Sequence, residues 1–298
     1  MDAQITAREH IDLHAKQHPM EFFDEFRTVE AYCLHLMHRA AYRHATELVR
    51  PGQVLDLGCN NGYGSFELSR HGHQVIGVDV SAEALNNARS RFKADNLEFR
   101  QVDGANLPFE SDRFDLITSF QVIEHIVEME PYLSEIRRVL KPGGLAIFTT
   151  PNAHIRLDPG MKPWNRFHVQ EFTPEHLRGT LAPFFSEVKL QGLFASEDLY
   201  QTEFNRCQRA LNNARRALRG SQVMHEPIRD AIAVVVKAVL PARAVEYIRN
   251  RRDGAAVAGG PAERKLTLED QARLEGGSIF YRETRLERAL DLMAVCWR

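Results

Sequence analysis

No stretch of this 298-residue chain reaches the roughly 18 consecutive apolar residues that a membrane-spanning helix requires. Cysteine is scarce, and Cys33, Cys59, Cys207 and Cys296 stand far apart with no CxxC pair. That spacing argues against a disulfide framework or a zinc site and fits a reducing, cytoplasmic setting. The opening residues, MDAQITAREHIDLHAKQ, have no apolar centre, so a secretion signal is not expected. An excess of one charge is lacking too: 38 Lys and Arg stand against 40 Asp and Glu. Such a balance offers nucleic acid no general attraction. There is no HExxH and no carboxylate cluster, so no catalytic metal is expected. His10, His14 and His18 recur every four residues, which reads more simply as a solvated helix face than as a metal site.

What is present is an ordinary folding composition, 44% hydrophobic and 26% charged. Residues 20–49 read as a helix, because Phe22, Phe23, Phe26, Val29, Tyr32, Leu36 and Met37 recur at three- and four-residue steps. Pro51-Gly52 ends it. Short apolar strands then alternate with helices: QVLDLG, HQVIGVD, LEFRQVD, FDLITSF, LAIFTT and FSEVKLQGL, with ALDLMAVCW (289–297) as the last. KPGG reads as a turn before LAIFTT. Ser81 and the Thr173-Pro174 pair have the chemistry of helix starts. The alternation predicts an α/β fold with a parallel sheet covered on both faces. It divides the chain into an N-terminal helical cap (1–50), a core (51–194 with 289–298) and a helical insert (195–288) that the sheet does not need. The insert contains a linker-like DGAAVAGGPAE. Cap and insert should lie over the carboxyl edge of the sheet, where open α/β folds bind ligands.

The stretch LDLGCNNGYGS, residues 55–65, has the glycines of a ligand-holding turn, with Asn60 where another glycine is usual. Asn visits the left-handed region more readily than other side-chain-bearing residues, so the turn tolerates it. Neither GxGxxG spacing nor a following Gly-Lys-Ser/Thr is present, which argues against dinucleotide and Walker phosphate loops. Asp79 ends the second strand and can accept both ribose hydroxyls of an adenosine. Asp103 ends the third and, with neighbouring N–H groups, can read an adenine edge. The plainer alternative for each is a cap on its own loop. Two acids with no basic neighbour disfavour a phosphate-rich ligand and suit adenosine joined to a cationic group.

With these residues in place, the chain resembles the class I S-adenosylmethionine-dependent methyltransferases. VLDLGCNNGYG, VIGVDVS, VDGANLPFESDRFDLITSFQVIEHI and LKPGGLAIFTTPN fall in that family's order. The resemblance implies a seven-stranded, Rossmann-like, doubly wound sheet with its last strand antiparallel. It implies S-adenosyl-L-methionine as cofactor and S-adenosyl-L-homocysteine as product. By position, Asp56, Gly58, Asn60 and Gly62 would line the methionine part, with Tyr63 closing over it or packing on the first helix. Asp79 with Val80 would take the ribose, and Asp103, Gly104 and Ala105 the adenine. Gln121 would lie beside the sulfonium.

Transfer to a hydroxyl needs its proton removed, and histidine suits that task near neutral pH. His125, after Glu124 in VIEHI, and His168, between the fifth strand and the next helix, both reach the cofactor edge. Either is a candidate base, with Glu124 as an orienting or hydroxyl-binding group. The alternatives are a cleft-wall contact for His125 and a loop-fixing role for His168. HLMHRAAYRHATELVRPGQVLDLGC, PGMKPWNRFHVQEFTPEHL and RLERALDLMAVCW resemble segments of bacterial glycan and surface-polysaccharide O-methyltransferases. A sugar acceptor would then stack on Trp164, Phe167 and Phe172 and meet Asn165, Arg166 and His168. A small lipid, quinone or natural product is the alternative acceptor, and a non-catalytic cofactor-binding partner subunit the alternative class. Between Asn205 and Arg252, 11 basic residues face three acids. With the apolar run at 231–252 this suggests a helical lid, a homodimer contact, a peripheral contact with the inner membrane face, or a grip on an anionic acceptor. RNA is disfavoured, because the basic run lacks interleaved aromatics.

Overall fold

The computed structural model describes residues 6–17, 26–223 and 264–298. Its centre is an eight-stranded sheet: β1 (Gln53–Leu57), β2 (Gln74–Asp79), β3 (Leu97–Gln101), β4 (Phe114–Phe120), β5 (Leu140–Pro151), β6 (Glu187–Ala195), β7 (Ile279–Arg282) and β8 (Asp291–Trp297). The spatial order is β3-β2-β1-β4-β5-β8-β6-β7. β1 to β5 run parallel; β8 pairs antiparallel with both β5 and β6. The last strand is therefore antiparallel, as the family resemblance implied. The sheet has one strand more than expected, because β7 adds to β6 from inside the segment read as a wholly helical insert.

Alternation along the strands explains why both faces are covered. On β8, Leu292, Ala294 and Cys296 enter one core cluster, while Met293 and Val295 enter another. The first cluster is closed by α5 (Met129–Val139) and α7 (Pro174–Leu181), through Leu133, Ile136, Val139, Leu177 and Leu181. The second is closed by α2 (Val29–Leu48) and α3 (Tyr63–Arg70), through Ala41, Tyr42, Ala45 and Leu68. α7 starts as its sequence suggests: Thr173 Oγ1 accepts the His176 N–H and Pro174 follows. Ser81 likewise caps α4 (Ala82–Arg91) through the Ala84 N–H. KPGG is a bulge in β5 rather than a separate turn before it. Phe114 pairs with Leu140, yet Leu116 pairs with Leu145.

α2 begins at Val29, capped by Thr28, later than its apolar stripe suggested. A separate helix, α1 (Ala7–Gln17), precedes it. α6 (Ala153–Arg156) follows β5. α8 (Glu197–Val223) packs on α2, as does α9 (Leu268–Glu275). The chain before α9 returns to the foot of α2 through Val29 N–H to Arg264 O and Leu266 N–H to Arg27 O. All four cysteines are buried and free. Among the described residues no helix is long and apolar enough to cross a membrane. The proposed membrane segment, 231–252, lies outside the described residues.

Tyr42 joins the helical layer to the sheet. A Cβ placed on Gly64 would fall 2.0 Å from its ring. Within a helix, alanine in place of glycine gains about 1 kcal/mol of propensity. Overpacking against a buried, hydrogen-bonded ring costs about 1–3 kcal/mol. Gly64→Ala is therefore expected to lower the urea midpoint; an unchanged or raised midpoint would contradict this packing.

A cofactor cleft at the carboxyl edge

The strand order reverses between β1 and its two neighbours, β2 and β4, and the loops that follow these strands part around a cavity of 220 Å³. Position and local chemistry agree, since ligands of open parallel sheets sit at such reversals. Gly58 opens the first loop at φ 78° and Asn60 continues it at φ 45°. The expectation that Asn60 enters the left-handed region thus holds. The Gly58 and Cys59 N–H groups both donate to Val78 O, which fastens the loop to β2. A Cβ on Gly58 would meet Val122 at 2.5 Å, so the close approach of the β4 loop requires glycine there.

Asp79 fixes the loop from the side. One carboxylate oxygen accepts the Asn60 N–H and the other the Ser81 N–H, each at 2.9 Å. A carboxylate offers about four acceptor positions, more than these two bonds take. Asp79 and Val80 line the cavity, together with Gly58, Asn60, Tyr63, Gly104, Gln121 and His125. Those sequence-predicted residues are brought to one place.

Others are not. Asp56 is buried beneath the cavity, accepting hydrogen bonds from Ser65 Oγ (2.6 Å), Thr118 Oγ1 (2.8 Å) and Tyr42 Oη (3.2 Å). Burial pushes its carboxyl up to about 6 against the pull of those donors. Its observed work is to tie β1, α3, β4 and α2 together under the loop. Gly62, at φ 83°, starts α3; a Cβ there would meet Phe99 and Ala88, and Gly62 does not border the cavity. Asp103 is exposed; its Oδ1 accepts the Ala105 and Asn106 N–H groups, which hold its carboxyl below the usual range. Asp103 and Ala105 thus form a capped turn outside the cavity wall, and of that trio only Gly104 borders it.

Gln121 adopts φ 58° at the tip of β4, and its Nε2 donates to Asp291 Oδ2 at 3.1 Å. Burial pushes the Asp291 carboxyl up to about 7. Next to this pair the β4 loop and the β5–α7 loop are stitched together. Glu124 O accepts the Val169 N–H, and His125 Nδ1 bonds Phe167 O at 2.8 Å. A carbonyl can only accept, so His125 donates from Nδ1. The His168 ring stands edge-on to His125, centroids 4.8 Å apart, with its Nδ1 on Glu171 Oε1 at 2.9 Å. Glu171 also receives Arg156 Nε at 2.9 Å in a buried ion pair. Burial raises the Glu171 carboxyl, but His168 and Arg156 outweigh it and the net shift is downward. Glu124 is buried, and burial pushes its carboxyl up to about 8; Thr150 Oγ1 donates to its Oε2. One ligand atom from each of Glu124, His125 and His168 lies within 4.8 Å of the others. The three residues that the sequence placed at this edge as candidate catalytic groups are thus brought together, His168 arriving from a separate loop.

The residues read as a sugar platform are engaged elsewhere. Trp164 donates its indole N–H to Arg156 O and lies under the Arg156 guanidinium. Asn165 Oδ1 accepts the Phe167 N–H, Arg166 reaches Gln17 in α1, and Phe167 and Phe172 are buried. None of these residues borders the cavity. Residues that the sequence reading missed do: His10 and Ile11 of α1, His38 and Tyr42 of α2, Asn61, Phe120 and Tyr132. A long-range contact brings α1 there, with Ile11 packed over Gly104 and Val80, and no local pattern encodes it. Asn61 supplies a test of fit. It is 2% exposed, and its Oδ1 has no hydrogen-bond partner among the described residues. The ammonium of an amino-acid moiety would satisfy it.

Residues 55–148 match the model of a methyltransferase domain family. Over 159 residues the chain is 34% identical to a probable S-adenosylmethionine-dependent methyltransferase of Mycobacterium tuberculosis, covering 53% of this chain and 57% of that one. It is 28% identical over 142 residues to a ubiquinone biosynthesis O-methyltransferase of Cereibacter sphaeroides, covering 42% and 56%. The chain thus spans little more than half the length of these curated relatives. Among solved structures, the cyclase SpnF superposes with a TM-score of 0.55 at 17% identity, over 98% of this chain and 97% of that one. That likeness carries the fold alone. Family and fold together imply S-adenosylmethionine as the cofactor. Asp79→Ala is expected to weaken S-adenosylhomocysteine binding at least tenfold, about 1.4 kcal/mol, in calorimetry. Asp103→Ala should cost less, and equal affinities for wild type and Asp79→Ala would contradict the ribose assignment. With its glycine–asparagine loop, its strand-end acid and these relatives, the segment 55–148 is a class I S-adenosylmethionine-dependent methyltransferase domain.

Proposed function

We propose that the protein transfers a methyl group to a hydroxyl oxygen of a small cyclic acceptor, a phenol or quinol of lipid type. The observation that carries the oxygen acceptor is the Glu124–His125–His168 cluster, of which His125 borders the cofactor cavity. An amine nitrogen attacks as its free base, whereas a hydroxyl loses its proton as it attacks. The Phe167 carbonyl holds the His125 proton on Nδ1, so the neutral ring has its basic lone pair on Nε2. S-adenosylmethionine supplies, when bound, an electrophilic methyl on a cationic sulfur. The chain's own contribution is alignment, for which well-held geometry accounts for about 7–11 kcal/mol in favourable cases. Asp79 and the β1 loop hold the donor end, and Gln121, fixed by Asp291, stands between donor and cluster.

The cavity favours the cyclic acceptor over the sugar. Tyr42, Tyr63, Phe120 and Tyr132 border it, whereas Trp164, Phe167 and Phe172 serve the loop or the core. The Cereibacter relative, a ubiquinone biosynthesis O-methyltransferase, fits the same acceptor class. A glycan or its lipid-linked precursor is the second reading, supported by the resemblance of the flanking segments. The division into cap, core and insert fits a cleft closed from above, since α1 contributes His10 and Ile11 to its wall.

Two measurements test this. Incubation with methyl-labelled cofactor and separated host lipid and glycan fractions should label a small phenolic or quinol lipid. Label confined to the glycan fraction would restore the sugar. His125→Ala should lower kcat by at least 10²-fold, the lower range for general-base help, with cofactor affinity unchanged. Undiminished turnover would remove the cluster from the chemistry.

A further inference from the structure

We propose that Asp291, a positioning residue acting through Gln121, supplies the charge by which the cleft tells cationic S-adenosylmethionine from its neutral product, S-adenosylhomocysteine. The inference rests on placing the sulfur end of the cofactor beside Gln121, and it is independent of which acceptor is methylated.

Strand direction puts the acid there. β8 runs antiparallel to β5, so its first residue, not its last, reaches the edge where the parallel strands end. Asp291 opens β8 and pairs with Pro151, the last residue of β5. At that edge Asp291 Oδ2 accepts from Gln121 Nε2 at 3.1 Å, and Gln121 borders the cofactor cavity. The same Nε2 lies 3.4 Å from Thr149 Oγ1. An ionised carboxylate can only accept, so it holds the amide with its nitrogen toward β8; a protonated one could donate and loses that hold. Gln121 Oε1 accepts no hydrogen bond among the described residues. It is the electronegative, unengaged end of a side chain on the cavity wall.

The charge of Asp291 is unmatched. Among the described residues it forms no ion pair, and the two arginines that act on it are engaged by other acids, Arg156 by Glu171 at 2.9 Å and Arg206 by Glu203 at 2.6 Å. His38 of α2 and these arginines favour its carboxylate, whereas Glu203 of α8 opposes it. Tyr281 of β7 and Glu124 after β4 also lie within its field. Burial outweighs them all and raises the Asp291 carboxyl to about 7. A desolvated carboxylate without a matched cation is costly, and a positive charge entering the adjoining cavity lowers that cost. S-adenosylmethionine carries one on sulfur; S-adenosylhomocysteine does not. A cationic ligand favours the ionised acid, so the cofactor should bind more tightly above that value than below it and should expel a proton on binding near neutrality. Methyl transfer removes the charge, so the same acid favours exchange of product for fresh cofactor.

The test uses the full chain without acceptor, titrated calorimetrically with each ligand from about pH 6 to about pH 8.5. In wild type the preference for S-adenosylmethionine over S-adenosylhomocysteine should rise with pH. Near neutrality the first ligand should release more protons than the second, read from two buffers of different ionisation enthalpy. Asp291→Asn keeps an acceptor oxygen for Gln121 and removes the charge, with S-adenosylhomocysteine binding as the check on folding. At about pH 8.5 it should lose at least about fivefold of the preference, and the dependence on pH with it. His38→Gln should keep the dependence and move its midpoint upward, because an imidazolium no longer favours the carboxylate. The proposal is overturned if Asp291→Asn weakens both ligands equally, as a merely structural role would, or leaves the preference unchanged. It is overturned equally if wild type handles both ligands alike at every pH, or if His38→Gln abolishes the dependence. Binding of neither ligand by wild type would overturn the cofactor placement and the proposal with it. None of these readouts involves an acceptor, so the identity of the methylated group is judged separately by the labelling experiment.

Discussion

A single carboxylate holds the cleft in shape. Asp79 stands at the tip of β2 and accepts one N–H from the loop after β1 and one from the loop leading into α4. Hydrogen bonds to a charged group contribute about 1.5–3 kcal/mol each, twice or more the usual value. These bonds hold Asn60 in its left-handed turn and keep Ser81 at the start of α4. Both carboxylate oxygens are thereby aimed before any ligand arrives. Preorganisation of this kind lowers the cost of binding, because the loop loses little freedom when the ligand enters.

Below the loop a second buried acid does structural work. Asp56 gathers hydroxyls from α2, α3 and β4, so the floor of the cleft and the helical layer are one hydrogen-bonded unit. The acceptor end is built differently. There the polar groups form a buried chain running from Gln121 to Asp291, and from His125 past His168 to Glu171 and Arg156. Burying so many charged groups is costly unless each is matched, and a matched network sets orientation more than it adds stability. The same loop uses Trp164 and Asn165 to fix its own path.

The donor half was legible in the sequence because its signals are local. Strand tips, turn residues and caps depend on neighbours a few positions away, as at Gly58, Asn60, Asp79, Ser81 and Thr173. The largely parallel sheet followed from the alternation of its strands with helices. What the sequence concealed depends on distant contacts. Asp103 has the same strand-end position as Asp79, yet it caps an exposed turn outside the cavity wall. β7 joins the sheet only because β6 offers it an edge, and its four residues carry no strong pattern of their own. His10 and Ile11 reach the cleft through the packing of α1 on Gly104. Trp164 was read as a stacking surface from the resemblance of its segment to glycan methyltransferases; the Arg156 guanidinium, just past β5, lies over its ring.

The central claim is that adenosine lies against Asp79 with its sulfur end toward Gln121 and the Glu124–His125–His168 cluster. A crystal structure of the chain with S-adenosylhomocysteine tests it most directly. The ribose hydroxyls should lie within hydrogen-bonding distance of the Asp79 carboxylate, the amino group near Asn61 Oδ1, and the sulfur on the Gln121 side of the cavity. Density for the ligand elsewhere, or a ribose turned away from Asp79, would contradict the account.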